Sequence, residues 1–469
     1  MSVSIKNKED SLERGLTNRH IQLMSIGGAI GTGLFMGAGK TISVSGTSII
    51  FTYAIIGFFL FFLMRAMGEI LLSNLKFKSF ADFCTHYIGP WAGYFIGWSY
   101  WMTWVVGAIA DCIIVGGYLK LWFPDLPTWI PAFSVLAIIL SLNLVAVRLF
   151  GEMEFWFALI KVVAIGSLIA TGMYMIATSF ISPSGVQASL DHLVAENSVF
   201  PYGLAGFLAG FQIAVFSFGG IELIGTTAAE AKNPTKTLPK AINAVPVRVL
   251  VFYVLSLMTI ISVSSWGEIS PDKSPFVQLF IMAGLPAAAA IINLVVITSA
   301  MSAANSGVFA TSRMLFGMSN AGQSSSFFNK LSKTSVPTRS LIFSCGVMAI
   351  GLSLLFVSPS VMQAFTLLTT ISAILFIFVW AMILVAYIKY RSIDPSLHES
   401  STFKMPGGVP MAYLCLVFFA AIIFVLSLAP DTAKGLAIMP AWFVMLALFY
   451  RRRLARSTQL VASKQSVNY

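Results

Sequence analysis

Phe216-Ser217-Phe218-Gly219-Gly220-Ile221-Glu222 interrupts an otherwise apolar run at 203–227. Gly27-Gly28-Ala29-Ile30-Gly31-Thr32-Gly33 does the same to a run at 20–40. Each run is long enough to cross a bilayer, which takes about 20 mostly apolar residues. Clustered glycine weakens a helix by about 1 kcal/mol per residue relative to alanine, so both runs are expected to unwind within the membrane. Non-helical backbone at that depth is tolerated only where it is buried in protein or lines a cavity. The plainer alternative is that these glycines only let helices pack closely, as small residues do between membrane helices.

The whole chain bears out the membrane setting. Of its 469 residues, 57% are apolar and only 10% are charged, with a mean hydropathy of +0.86. Soluble domains average about 25% charged residues, so a soluble enzyme, a disordered chain and a disulfide-rich secreted scaffold are excluded. Apolar runs near 20–40, 47–71, 91–119, 129–147, 155–178, 203–227, 245–264, 285–311, 340–357, 361–388, 409–429 and 433–450 predict twelve membrane helices. The expected class is an all-α polytopic membrane protein. Spans 1–5 (20–178) and 6–10 (203–388) would form a five-plus-five inverted repeat, with helices 1 and 6 broken and two more helices at 409–450. Residues 1–19 and 451–469 are read as tails, and Ser79–Tyr87 as a short interfacial helix.

Charge orients the spans. Lys6, Lys8, Arg14, Arg19, Lys76, Lys78, Arg148, Lys232, Lys236, Lys240, Lys330, Lys333, Arg339, Lys389, Arg391 and Lys404 fall on one side, with Arg451, Arg452, Arg453, Arg456 and Lys464 of the C-terminal tail. The other side has Lys120, Lys273 and Lys434, with Lys40 near a span end. By the positive-inside rule both termini are expected in the cytoplasm. The net charge of +11 is scattered singly between apolar runs, which argues against a nucleic-acid partner. Cys84, Cys112, Cys345 and Cys415 lie far apart, so neither a disulfide nor a metal framework is expected. The first twenty residues lack the apolar core of a cleaved signal peptide.

Paired interrupted spans at corresponding places point to the binding site of a secondary transporter. Freed N–H groups and the positive end of a half-helix suit a carboxylate, while freed carbonyls suit an ammonium. Gly31, Thr32 and Gly33 could present donors, and Ala29 or Phe216 could present carbonyls. Such a pair fits the two charged ends of an amino acid, with the Phe216 ring as a wall. Gly33–Thr41 (GLFMGAGKT) imitates a phosphate-binding loop, but that motif needs glycine where Leu34 stands. No nucleotide site, metal or organic cofactor is expected.

Away from the span ends, three ionisable residues read as deep: Asp111, Lys161 and Glu222. A charge there costs at least ~2.5–3.5 kcal/mol on insertion scales, so each is a functional candidate. Asp111 ends a stripe (Gly93, Gly97, Tyr100, Trp104, Gly107) whose 4-3-4-3-4 spacing keeps it on one helix face. Substrate amine, coupling ion, gate contact or a satisfied structural carboxylate are all open to it. Lys161 can stand in for a sodium ion's charge or release a proton, and Glu222 can carry one. Together they suggest H+ as the coupling ion, with a static Lys161–Glu222 ion pair as the alternative.

Several stretches resemble the amino acid permeases of the amino acid–polyamine–organocation superfamily. They are Thr17–His20 followed by Gly27–Phe35 (GGAIGTGLF), Arg65–Glu69 (RAMGE), Gly151–Lys161 (GEMEFWFALIK), Phe216–Pro239 and Asn305–Gly317 (NSGVFATSRMLFG). The resemblance covers nearly the whole chain. It implies an H+-coupled importer in a bacterial inner membrane, with an amino acid and the lipid bilayer as partners. Further stretches (Asn18–Ser43, Gly89–Trp98, Phe123–Leu126, Phe211–Ala229, Lys273–Phe280, Phe403–Pro406) place it nearest permeases for small neutral amino acids such as D-alanine, D-serine and glycine. Another neutral amino acid (L-alanine, L-asparagine, γ-aminobutyrate), exchange and passive facilitation stand as alternatives. By the resemblance, Thr32 and Gly33 hold the substrate carboxylate, the Ala29 carbonyl holds its amine, and Phe216 is an aromatic gate. Lys161 takes the place of a sodium ion, Glu222 serves proton transfer, and Asp111 matches an acidic span-3 position. Gly107–Asp111, Ser217 and Gly219 depart from the expected pattern beside the pocket, and Gly31, Gly219 and Asp111 are counted with the substrate-binding residues.

Overall fold

The computed structural model describes residues 30–466 apart from 78, 146, 227–232, 333, 358 and 359. Helices α1 (Thr32–Phe35) and α2 (Gly37–Ser45) lead through a tight turn at Gly46–Ser48 into α3 (Ile49–Ser73). A short α4 (Phe80–Tyr87) precedes α5 (Pro90–Leu119), α6 (Trp129–Val145) and α7 (Val147–Ala177). The second interrupted run is α8 (Gly203–Ala209), α9 (Phe211–Ser217) and α10 (Leu223–Thr226). It is followed by α11 (Pro234–Ser264), α12 (Pro275–Met282) and α13 (Pro286–Asn320). The chain ends with α14 (Thr338–Leu352), α15 (Val361–Ile393), α16 (Pro395–Ser400), α17 (Gly408–Leu426) and α18 (Pro430–Ser466).

Among the described residues, nine helical stretches are long and apolar enough to cross a bilayer. One of them, Gly37–Ser73, is divided at Gly46, whose φ of +59° breaks the helix. A side chain at Gly46 is also excluded, because its Cβ would lie 2.3 Å from the Ser198 carbonyl oxygen. With the shorter apolar helices Trp129–Leu144 and Gly203–Ser217, every one of the twelve expected spans has a helical segment.

Local chemistry sets where these helices begin. Pro90, Pro234, Pro275 and Pro286 each occupy the first turn, where the missing N–H costs nothing. The Ser360 hydroxyl accepts the Gln363 N–H at 3.1 Å to cap α15. In α4, Asp82 reaches back to the Ser79 N–H at 3.1 Å, which holds the expected interfacial helix.

Several helices outrun the expected spans. α7 begins at Val147 rather than 155, α11 at Pro234 rather than 245, and α13 continues to Asn320 rather than 311. Hydropathy ends a span at its first polar residues, whereas a helix continues wherever one face is still covered. Leu238, Ala241, Ile242 and Val245 are buried although Lys236 and Lys240 lie among them.

Burial runs opposite to a soluble protein. Large apolar side chains such as Phe58, Val163, Ile291, Ile350, Val417 and Phe424 are exposed on the flanks. Small hydroxyl residues fill the interior and return their O–H groups to their own helices: Thr103 to Ser99 at 2.8 Å and Thr370 to Thr366 at 2.7 Å. α5 and α15 are the most buried spans, while α17 and α18 are among the least. The two interrupted runs therefore lie beside the central α5, with the last two helices at the periphery.

Candidate functional site

The interrupted runs meet along a seam that only small residues allow. A Cβ at Gly33 would stand 2.6 Å from the Ser217 Oγ and 2.7 Å from its Cα. One turn on, a Cβ at Gly37 would stand 2.2 Å from Ile213 Cγ2. Close packing, the plainer of the two readings of these glycines, therefore holds for Gly33 and Gly37. Among the described residues, α1 starts at Thr32, after an extended Gly31, and α9 stops at Ser217. Residues 218–222 are non-helical, with Gly220 at φ +97°, before α10 resumes at Leu223.

Most groups freed by the second break are claimed by the protein itself. The Gly219 N–H donates to the Phe216 carbonyl at 2.9 Å, and Leu223 N–H to the Gly220 carbonyl at 3.1 Å. The Tyr253 hydroxyl donates to the Ser217 carbonyl at 2.6 Å, and Tyr53 shares a 3.1 Å hydrogen bond with the Ser217 hydroxyl. Both tyrosines are fully buried and pack edge-on to each other, with ring centroids 5.4 Å apart. Sequence reasoning passed over this pair; its signal was a phenol hydroxyl inside an apolar span, which needs a partner. A Cβ at Gly219 would lie 2.2 Å from the Phe376 ring, so this glycine too is a packing position.

Glu222 is buried and its carboxylate accepts from the Gly220 N–H at 3.2 Å and the Tyr100 hydroxyl at 3.3 Å. It ties the break to α5. The charges acting on Lys161 are instead those of Glu154, then Asp111, so the Lys161–Glu222 pair weighed from sequence is replaced by a different partnership. The Lys161 ammonium donates to the Ser302 hydroxyl at 3.1 Å, and Ser302 lies 2.9 Å and 3.1 Å from the two Glu154 oxygens.

The list of three deep ionisable residues is thus too short. Glu154 is 1% exposed and Glu69 is fully buried. Glu154 was missed because the apolar run was started at 155; its spacing of seven from Lys161, on one helix face, was the available clue. Glu69 accepts from His398 Nδ1 at 2.5 Å, the Met405 N–H at 2.7 Å and the Tyr387 hydroxyl at 3.2 Å. It anchors the segment between α15 and α17.

Around the first break, Thr32 donates its hydroxyl to Asp111 at 2.5 Å, joining α1 to α5. Thr32 and Gly33 occupy the first turn of α1, where the earliest intrahelical donors are Leu34 and Phe35, both onto the Gly31 carbonyl. N–H groups in a first turn have no intrahelical acceptor. Ala29, assigned a substrate-binding carbonyl, lies outside the described residues, as do Gly27 and Gly28.

Packing loosens at two glycines beside the Thr32–Asp111 bond. A Cβ at Gly31 would meet Ala303 at 3.6 Å, an ordinary contact. One at Gly107 would lie 3.8 Å from the Ser372 Oγ and 4.0 Å from the Phe216 ring. Phe216 is half-buried and edge-on to Phe365 at 6.2 Å. Gly31, Thr32, Gly107, Asp111 and Phe216 thus share one region, next to the Lys161 charge. Gly33 and Gly219 border it from the packed side.

The sequence pattern of the amino acid permease family matches residues 20–455. The chain belongs to the amino acid permease family. This permease is 58% identical over 440 residues to the D-serine/D-alanine/glycine transporter of Escherichia coli K12, covering 94% of each chain. It is 47% identical to the amino-acid permease AapA of Bacillus subtilis 168, covering 96% of each. The aromatic amino acid transport protein AroP of Escherichia coli O6:H1 is 38% identical, over 94% of this permease and 96% of that protein. The chain is a multi-pass membrane transporter and not an enzyme.

Proposed function

We propose that this permease imports small neutral amino acids, D-alanine, D-serine and glycine, by proton symport with alternating access. It would do so in a bacterial inner membrane with both termini cytoplasmic. The observation that carries the reading is the Thr32–Asp111 bond, with Gly31 and Gly107 beside it, where a Cβ would make only ordinary contacts, and with the Phe216 ring next to Gly107. The 58% identity to a transporter named for D-serine, D-alanine and glycine supports the same substrates.

In this reading the first-turn N–H groups of Thr32 and Gly33 hold the substrate carboxylate, because they are donors at the positive end of a helix. The Ala29 carbonyl takes the amine. Gly31 keeps the backbone clear around the ligand, Gly219 admits the Phe376 ring at the edge of the site, and the Phe216 ring closes over the ligand. Asp111 exchanges its Thr32 partner as the site fills. Lys161 supplies the positive charge that a sodium ion would, and Glu222 passes a proton while tethering the break through Tyr100.

Uptake of labelled D-alanine into proteoliposomes, with and without an imposed pH gradient, tests the reading. One coupled charge is worth ~2.3 kcal/mol per 100 mV, roughly a 50-fold accumulation. Accumulation that never exceeds equilibrium with the gradient applied refutes symport; counterflow without gradient-driven uptake indicates exchange. A competition panel of D-alanine, D-serine, glycine, L-alanine, L-asparagine and γ-aminobutyrate tests the substrate, and competition by γ-aminobutyrate without D-alanine overturns it.

A further inference from the structure

Asp111 on α5 and Lys161 and Glu154 on α7 form one electrostatic set, each 5% exposed or less. The negative charges of Glu154 and Asp111 both act on the Lys161 ammonium. Glu154 and Lys161 are seven residues apart, about 10 Å along the axis at 1.5 Å per residue. Ser302 of α13 bridges that interval: its hydroxyl is 3.1 Å from the ammonium and 2.9 Å from the nearer Glu154 oxygen. A hydroxyl has one proton and two lone pairs, so it accepts from Lys161 and donates to Glu154 at the same time.

Charge balance gives this chain of bonds a purpose. With all three groups ionised, two carboxylates and one ammonium leave an unbalanced negative charge in a low-dielectric interior, which is costly. One bound proton removes it. We propose that Glu154 is a second proton station of the transport cycle, linked to Lys161 through the Ser302 hydroxyl, so that the coupled proton is shared along Lys161–Ser302–Glu154. The inference rests on the symport reading above and adds to it a residue and a route.

The step balances without any other reactant. An Nζ–H bond of Lys161 breaks as its proton moves to the Ser302 Oγ, while the original Ser302 proton moves to a Glu154 oxygen. The ammonium–carboxylate pair becomes an amine and a carboxylic acid, and nothing is oxidised or reduced. A proton from water re-forms the ammonium, and Glu154 later releases its own.

The test uses the full-length protein in proteoliposomes, with labelled D-alanine as probe, comparing gradient-driven uptake with counterflow at equal pH. Ser302→Ala keeps both charges and removes the bridge. Its driven uptake should fall at least tenfold while counterflow stays within twofold, and Ser302→Thr, which keeps a hydroxyl, should restore driven uptake. Glu154→Gln should lose driven uptake in the same way and shift the pH profile of its initial rate. Should Glu154→Gln fail to assemble by size-exclusion chromatography, the serine pair alone decides. Equal losses of driven uptake and counterflow in Ser302→Ala, or no loss in either, overturn the relay. Coupled wild-type uptake beside an unaffected Ser302→Ala defeats the relay alone; wild-type protein that never accumulates substrate defeats symport and the relay together.

Discussion

Replacing Gly33 by alanine puts a methyl carbon 2.6 Å from the Ser217 Oγ and 2.7 Å from the Ser217 Cα. The hydroxyl can rotate away, but the Cα is backbone of α9 and cannot. Relieving the contact to an ordinary separation of roughly 3.5 Å requires the two interrupted runs to part by about 0.8 Å. Overpacking of this kind costs typically 1–3 kcal/mol. A shift near 1 Å in the positioning of a binding group costs on the order of 100-fold in rate. Gly33→Ala should therefore lower the initial rate of D-alanine uptake by one to two orders of magnitude and reduce the thermal unfolding midpoint in detergent. The double variant Gly33→Ala/Ser217→Gly should not recover, because removing the hydroxyl leaves the Cα in place. Gly107→Ala is the matched control for stability alone, its Cβ having 3.8 Å to the nearest neighbour. Wild-type uptake and stability in Gly33→Ala, or full rescue by Ser217→Gly, would refute the seam as the element that sets the site.

Gly107→Ala should be as stable as wild type yet narrow the space under Phe216, weakening D-serine against glycine by about 10-fold or more in competition assays, the scale of one methylene in a tight pocket. Tyr253→Phe removes the 2.6 Å donor to the Ser217 carbonyl. Leaving that buried acceptor unpaired should cost about 1–3 kcal/mol, read as a lower unfolding midpoint. Glu69→Gln weakens the carboxylate that collects His398, Met405 and Tyr387. Faster hydrogen exchange is expected at Phe403–Met405, with little change elsewhere.

The helical class, the approximate spans and the interruption after Phe216 were legible because each depends on the solvent. A bilayer demands long apolar runs, and glycine clusters weaken helices wherever they occur. Helix ends were less legible, as α11 illustrates: Lys236 and Lys240 look like loop until Leu238 and Ala241 are seen to be covered. Among the site residues, Thr32 and Asp111 were chosen independently, on different spans, and prove to be bonded to each other. Gly33 was chosen as a backbone donor and Gly219 as a substrate-binding residue, and a Cβ at either would strike Ser217 or Phe376. Nothing in their local sequence distinguishes them from Gly31, where a Cβ would make an ordinary contact with Ala303.

By itself, then, the sequence determined that this chain crosses a membrane many times, that its backbone breaks within Phe216–Glu222, and that Asp111, Lys161 and Glu222 are carried inward. Those properties follow from transfer and helix energies that act over a few neighbouring residues. The pairing of charges was decided only in the tertiary structure: Lys161 with Glu154 through Ser302, and Glu222 with Tyr100 and its own broken helix. Partners on different helices are set by how those helices cross, and a buried charge is stabilised by the groups within a few ångströms of it, whatever their distance along the chain.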